Sequence, residues 1–306
     1  MNREPPYPEM GMRKWSRAVR DKLSPHARTA GKAFFSRLVA KTSSRMGFAS
    51  SQIAPPSSTM SAPPPTSSAI PPHLRPPAPA ASPAHHGGHH FALPKLRLEV
   101  RDLESTGALR ALAALNFGEC VRACAQDVLR QLYQHPGNAP CPLPTTRSVT
   151  LILRDMDGVA YTAGTELDPD HKEIHLSTRH IDNQSPERIR DELYGVVTHE
   201  LVHCFQYDGR HTCKGGLIEG IADWVRLRCG HVPPHWKPRA EGCGWDAGYE
   251  TTGYFLDWLE TQCGEGTVRR INAKLQADKY EEEKFWPELF GSTIDELWET
   301  YAASIN

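Results

Sequence analysis

The sequence has no hydrophobic run that is typical of a membrane span. Its longest uncharged stretch, residues 46–74, contains seven prolines, and a transmembrane helix does not contain proline at that density. The N-terminus also lacks a continuous apolar segment followed by a small-residue cleavage site, so no cleaved secretory signal is predicted. These two absences favour an intracellular location, in the cytoplasm or in an organelle, over export.

The sequence also lacks any C-x-x-C pair, although it contains eight cysteines, all after residue 119. A zinc site built from thiolates is therefore not predicted. Without an export signal we expect the thiols to be reduced and mostly buried, and disulfide bonds are the alternative.

Acidic residues are scarce in residues 1–90, which contain 3 Asp and Glu against 12 Lys and Arg. The remaining 216 residues contain 33 Asp and Glu against 23 Lys and Arg. The net charge of −1 therefore combines a basic arm with an acidic body. Because the body has no clustered basic stripe, nucleic acid is not expected as a partner.

Residues 1–50 form a basic segment in which apolar residues recur at helical spacing, for example Trp15, Val19 and Leu23. Basic amphipathic helices bind anionic membranes or act as targeting presequences, so residues 12–48 are a candidate for peripheral membrane contact. A solvated, partly helical tail is the alternative.

Residues 51–94 are rich in Pro, Ser, Ala and His and contain 12 prolines. Such a composition cannot bury a core, so this stretch is predicted to be a disordered linker. Its histidines at 85, 86, 89 and 90 have no rigid frame, and we assign them to the linker rather than to a metal site.

The body, residues 95–306, is predicted to be one α+β domain, since strand patterns precede a run of helix patterns. Strands are predicted at residues 96–100, 148–154, 159–163 and 173–177, with a turn at residues 168–170. Helices are predicted at residues 117–133, 217–229, 248–263, 267–277 and 292–302. A further long helix is predicted from a cap at Ser185-Pro186-Glu187 to about Phe205.

Near the end of that long helix, residues 199–203 read His-Glu-Leu-Val-His, an H-E-x-x-H motif. Histidines at i and i+4 lie about 40° apart on one helical face, which lets both imidazoles reach a single ion. We therefore predict that His199 and His203 bind one catalytic Zn²⁺ and that Glu200 is the general base. The strand before the helix, residues 173–177, is predicted to be the sheet edge along which a substrate lies.

A catalytic zinc site needs a third protein ligand and one open position for water. Glu219 and Asp223 stand at i and i+4 in a largely apolar helix that follows two glycines. Buried carboxylates need partners, so we predict that Glu219 binds the metal and that Asp223 accepts a hydrogen bond from His199. A solvated acidic face is the alternative.

Four blocks carry a resemblance to a known family. They are residues 157–161, 195–203, 215–227 and 245–257, and they resemble the basic secretory protein family, a set of zinc-dependent peptidases of plants, fungi and bacteria. The resemblance covers roughly residues 96–305 and implies a zincin-like metalloprotease domain. The Glu-x-x-x-Asp block is also similar to that of thermolysin-like gluzincins, which implies Glu219 as third ligand and Asp223 as its supporting aspartate. Two departures from the family are the acidic body and the lack of a readable secretion signal.

This chemistry predicts hydrolysis of peptide bonds in peptides or proteins by a zinc-activated water, with Glu200 moving the proton. The oxyanion needs a donor beside the metal, for which Tyr249 and His235 are candidates. For Tyr249 the alternative is a packed aromatic, and for His235 it is a loop surface. Asp157 and Tyr161 are expected to have only structural roles.

Two other classes of protein fit the sequence. One is a non-catalytic, zinc-stabilised module that binds glycans, defence targets or other proteins. The other is a membrane-tethered interaction protein whose basic arm is the functional part. An intact Glu200 favours the enzyme over the binding module, since a structural site needs no general base and usually has a fourth protein ligand.

Overall fold

The computed structural model describes residues 90–305. The predicted basic segment (residues 1–50) and residues 51–89 of the predicted linker lie outside the described residues. The described part contains four strands and nine helices. The strands are β1 (Lys95–Val100), β2 (Ser148–Arg154), β3 (Ala160–Thr165) and β4 (Asp168–Ser177). The helices are α1 (Thr106–Ala114), α2 (Phe117–Tyr133), α3 (Thr178–Asp182), α4 (Ile189–Phe205), α5 (Gly215–Arg228), α6 (Tyr249–Cys263), α7 (Thr267–Ala277), α8 (Glu282–Phe290) and α9 (Ile294–Ile305).

The strands form one sheet in the order β1-β2-β4-β3, which together with the helices makes the domain α+β, as predicted. β1, β2 and β4 are parallel, and β3 pairs antiparallel with β4. The prediction that residues 173–177 form the edge is wrong, because β4 lies between β2 and β3. The predicted turn at residues 168–170 is also wrong. Thr165 pairs with Asp168, so the chain reverses at Glu166 and Leu167 instead.

One face of the sheet packs against α2 and α4. Because side chains alternate along a strand, every second residue of β2 and β4 points to this face. The buried apolar residues among them are Val149, Leu151, Leu153, Ile174 and Leu176. α4 is buried along most of its length and shows almost no amphipathic preference, as expected for a helix enclosed on several sides. This packing positions the H-E-x-x-H segment of α4 above the sheet.

The ends of two predicted segments differ from the structure. α4 begins at Ile189, not at the predicted Ser185 cap, because the carbonyl of Ser185 accepts hydrogen bonds from the amides of Arg188 and Ile189 and closes a separate turn. Phe91 falls within the predicted linker but is buried. Its amide and carbonyl both bond to the side chain of Gln126, at 3.0 and 2.8 Å. The packed part of the chain therefore includes Phe91.

α5 and α6 form the most extensive helix pair of the described residues, and their contact depends on a glycine. A Cβ at Gly216 would overlap the backbone carbonyl of Asp246. Lys214 stabilises the same contact, because its ammonium forms ion pairs with Asp246 at 3.1 Å and with Glu282 at 2.7 Å. The start of α5 and the segment before α6 are thereby held together, which fixes the positions of Glu219 and Tyr249.

The aromatic residues predicted to pack in the core do so. Trp224, Trp245 and Phe255 are buried, and Tyr254 and Trp258 pack against the core from its margin. All eight cysteines lie in the described part and carry free thiols. Three of them are buried, and five are partly exposed.

Candidate metal centre

Three side chains from two crossing helices meet above the sheet. His199 and His203 stand one turn apart on α4, and Glu219 lies on α5. The Nε2 atoms of the two histidines are 3.1 Å apart. The Oε2 atom of Glu219 is 3.1 Å from Nε2 of His199 and 3.6 Å from Nε2 of His203. The structure thus brings together the three side chains predicted to be the ligands, and this group could hold a metal ion.

The spacing of these donor atoms can be compared with the requirements of zinc. Zinc binds nitrogen and oxygen at about 2.0–2.1 Å in a tetrahedron, which places any two ligand atoms roughly 3.3–3.4 Å apart. The observed distances of 3.1, 3.1 and 3.6 Å bracket that value. Two imidazoles and a carboxylate are also a donor set that zinc accepts. The residues present therefore fit a tetrahedral ion with three protein ligands.

Each histidine has a partner on its other ring nitrogen. Nδ1 of His199 donates to Oδ1 of Asp223 at 2.6 Å, as predicted. Nδ1 of His203 lies 2.7 Å from the amide nitrogen of Gln206, a residue that the sequence did not single out. Such contacts fix the orientation of ligand imidazoles. The H-E-x-x-H spacing alone gives no reason to look three residues further for Gln206.

Glu200 is buried, and one oxygen of its carboxylate bonds to the edge strand. The hydroxyl of Thr162 on β3 donates to Oε2 of Glu200 at 2.7 Å and lies 3.0 Å from the Glu200 carbonyl oxygen. Thr162 was not predicted, because its role depends on β3 being the edge. The neighbouring Tyr161 was expected to be structural only. It stacks on His175 with ring centroids 4.4 Å apart, and it also lines the cleft.

The metal-ligand group opens into a cleft of about 990 Å³. Tyr249 and His235 both line it. The ring of Tyr249 lies nearly parallel to that of His199, with centroids 6.2 Å apart, and the residue is 55% exposed. Its φ of +47° is rare for a residue with a side chain. His235 lies on the cleft wall beside Pro233 and Trp236 and has no hydrogen bond to the ligand group. The structure therefore brings Tyr249, and not His235, against a predicted ligand.

The charges at the site shift the pKa values of its members. Burial lowers the pKa of His199, but hydrogen bonds to Asp223 and Glu219 outweigh burial and raise this pKa to about 9. Burial raises the pKa of Glu219, whereas its bonds to the two histidines lower that pKa overall. The negative charge of Glu219, followed by burial, raises the pKa of Tyr249. The carboxylates thus favour positive charge at the point where the three donors meet.

The cleft lining also contains a largely buried ion pair, between Arg226 and Glu192, that the sequence did not indicate. Arg226 lies one turn beyond Asp223 on α5, and its guanidinium packs across Gly195 of α4. It bonds to Glu192 at 3.4 Å and to the carbonyl of His231 at 2.8 Å. It also lies 5.1 Å from the ring centre of Trp236. This network joins both site helices to the loop that carries His235.

A match to the model of a protein family agrees with this geometry. The model of a family described as peptidases of plants and bacteria, BSP, matches residues 93–301. Comparison with curated proteins and with solved structures finds no significant match. The family match covers more than half of the chain and includes every residue of the metal-ligand group and of the edge strand. The chain therefore belongs to the basic secretory protein family of peptidases.

Proposed function

We propose that this chain is a zinc-dependent metalloendopeptidase with a zincin-like domain. The observation that carries the proposal is the convergence of His199, His203 and Glu219 at tetrahedral spacing, beside the buried carboxylate of Glu200. A zinc ion held there would lower the pKa of a water to roughly 7 and polarise the scissile carbonyl.

Glu200 is the residue to which we assign proton transfer. Thr162 donates to Oε2 of Glu200, so that oxygen is oriented, and Oε1 is the atom that takes the proton of the attacking water. The same carboxylate then returns the proton to the leaving amine. The hydrogen bond from Thr162 limits the rotation of the carboxylate and leaves Oε1 as the oxygen that is not engaged by Thr162.

The peptide substrate lies along β3 in this proposal. Among the described residues β3 has a strand neighbour on one side only, so its other edge can pair with an extended peptide. Thr162 sits in the middle of β3 and contacts Glu200, so we assign the scissile bond to the position opposite Thr162. The open cleft suits an internal segment of a chain, and this favours an endopeptidase.

Tyr249 is our candidate for the donor that stabilises the oxyanion. Its ring lies against His199 and its side chain is exposed to the cleft, so the hydroxyl can reach a bound carbonyl. Its positive φ is the kind of backbone strain that is found at functional sites. His235, which also lines the cleft, is a second candidate donor.

The test is the substitution Glu200→Gln in the full chain, read by peptide hydrolysis and by zinc content together. We expect hydrolysis to fall by a factor of at least about a hundred, because the general base is lost, while the zinc content stays equal to that of the unmodified chain. Hydrolysis that persists in Glu200→Gln would contradict the mechanism. Stoichiometric zinc without hydrolysis in the unmodified chain would favour the alternative, a zinc-stabilised binding module.

A further inference from the structure

The charged side chains that line the cleft are almost all paired. Among its carboxylates, Glu192 bonds to Arg226 and His180, Asp223 to His199, Glu219 to both ligand histidines, Asp208 to His211, Glu250 to Arg239, and Glu200 to the hydroxyl of Thr162. Of the two permanent cations on the cleft wall, Arg226 is paired. The other is Lys172, a partly buried residue that forms no ion pair with any residue between 90 and 305.

The sheet register places Lys172 relative to the proposed reaction centre. Ile174 on β4 is opposite Thr162 on β3, and Lys172 is opposite Gly164. Lys172 and Thr162 therefore share the face of the sheet that points to α4, and their positions differ by two residues along the strands. Two residues along a strand span about 7 Å. Lys172 is thus offset by two residues along the sheet from the position of Thr162, the residue that contacts Glu200, and it is not part of the ligand group.

β3 lies between Lys172 and the free edge of the sheet, and it does not cover the Lys172 side chain. The residue of β3 opposite Lys172 is Gly164, which contributes no side chain of its own. A long side chain on β4 can therefore extend across β3 at this position toward a peptide on the free edge. At most other positions of β3 a side chain would stand in that path.

We propose that Lys172 forms a subsite for an acidic side chain of the substrate, within about three residues of the scissile bond. This inference rests on the proposed function, because it needs a peptide along β3. A partly buried ammonium without a counter-charge is costly, and a substrate carboxylate supplies that charge. The substrate class is therefore peptides and proteins with Asp or Glu next to the cleavage point.

Binding to the full-length Glu200→Gln chain loaded with zinc tests the proposal without hydrolysis. The probes are fluorescent peptides of Ala and Ser in which a single Glu, or the matched Gln, is moved through each position. At one position we expect the Glu peptide to bind roughly three- to tenfold more tightly than the Gln peptide. Adding Lys172→Met should bring that ratio to about one, and Lys172→Glu should reverse it. Lys279→Met, an exposed lysine outside the cleft, is the matched control and should keep the ratio.

Three results would overturn the subsite: no position that prefers Glu, a preference that survives Lys172→Met, or no binding of any peptide. Failure of the proposed function is distinguishable from these. If the unmodified chain cleaves no peptide but the Lys172-dependent preference is present, the subsite stands and the peptidase mechanism fails. If neutral peptides are cleaved without any preference for Glu, the mechanism stands and the subsite fails.

Discussion

Oδ1 of Asp223 lies 2.6 Å from Nδ1 of His199, and Asp223 is only 2% exposed. A carboxylate accepts hydrogen bonds, so Nδ1 of His199 carries a proton, and Nε2, which faces Glu219 and His203, is the ring nitrogen that can bind a metal. The pairing connects α5 to α4 at the point where the metal ligands meet. It orients His199 and makes its imidazole a stronger ligand.

Removal of this carboxylate should weaken zinc binding. We expect Asp223→Ala to lower the zinc affinity about 10- to 100-fold, because Nδ1 of His199 then lacks its buried acceptor. Competition with a chromophoric chelator measures the affinity. Asp278→Ala is the control, since Asp278 pairs with Lys274 on the surface away from the cleft. Equal affinities in the two variants would show that Asp223 does not support the metal.

Gln206 should orient His203 by accepting a hydrogen bond through its side-chain oxygen, Oε1. The Oε1 atom of Gln206 is buried without a partner, while its amide nitrogen faces Nδ1 of His203. If the side-chain amide of Gln206 is rotated by half a turn, its Oε1 accepts a hydrogen bond from Nδ1 of His203. Nε2 of His203 is then free to bind the metal. We therefore expect Gln206→Glu, which retains an acceptor, to hold zinc within a few-fold of the unmodified chain. Gln206→Leu should lose about 10- to 100-fold. Similar losses in both variants would rule out an acceptor role.

The sequence predicted those parts of the site that depend on spacing within one helix. His199, Glu200 and His203 are fixed by the period of α4, and Glu219 and Asp223 by the period of α5. Thr162 and Lys172 depend instead on the order of strands in the sheet. The hydrophobic pattern does not show that β3 rather than β4 is at the edge, because both strands are mixed in polarity.

The same distinction applies to the fold. α2 and α7 have strong amphipathic patterns, and their predicted bounds agree with the structure. α8 was not predicted, since Pro287 lies inside it. Its helix is tolerated because Phe285, Trp286 and Phe290 are buried in the aromatic core. Tertiary packing of this kind overrides local propensity and is not visible in the sequence.

The close contact of α5 and α6 gives a matched pair of glycine substitutions. Gly216→Ala should lower the free energy of unfolding by about 1–3 kcal/mol, because its methyl group overlaps the Asp246 carbonyl. Gly215→Ala has open space around the added methyl group, so we expect a change within about 0.5 kcal/mol. Urea unfolding of both variants measures the difference. If they were equally stable, the packing of these two helices would not depend on Gly216.

The ion pair behind the site should make stability depend on pH. The hydrogen bond from His180 lowers the pKa of Glu192, burial opposes this, and the charge of Arg226 lowers it further. A lowered pKa stabilises the fold fully above the ordinary value of 4.5, and this stabilisation is lost as the pH falls through the lowered value.

We therefore expect Glu192→Gln to cost about 1–3 kcal/mol in the free energy of unfolding at pH 7. The deficit should shrink as the pH falls below 4.5. Urea unfolding at several pH values measures it, and Glu241→Gln, an exposed residue, is the control. A deficit that stayed constant down to pH 3 would mean that the charge of Glu192 does not stabilise the fold.

The most direct test of the account is the zinc content of purified full-length chains, measured by elemental analysis. The unmodified chain and Glu200→Gln should each contain one zinc more per chain than His203→Ala and Glu219→Ala. The difference between variants removes any contribution from the histidines at residues 85–90. Equal zinc content in all four folded proteins would contradict the three-ligand site, and with it the proposed peptidase mechanism.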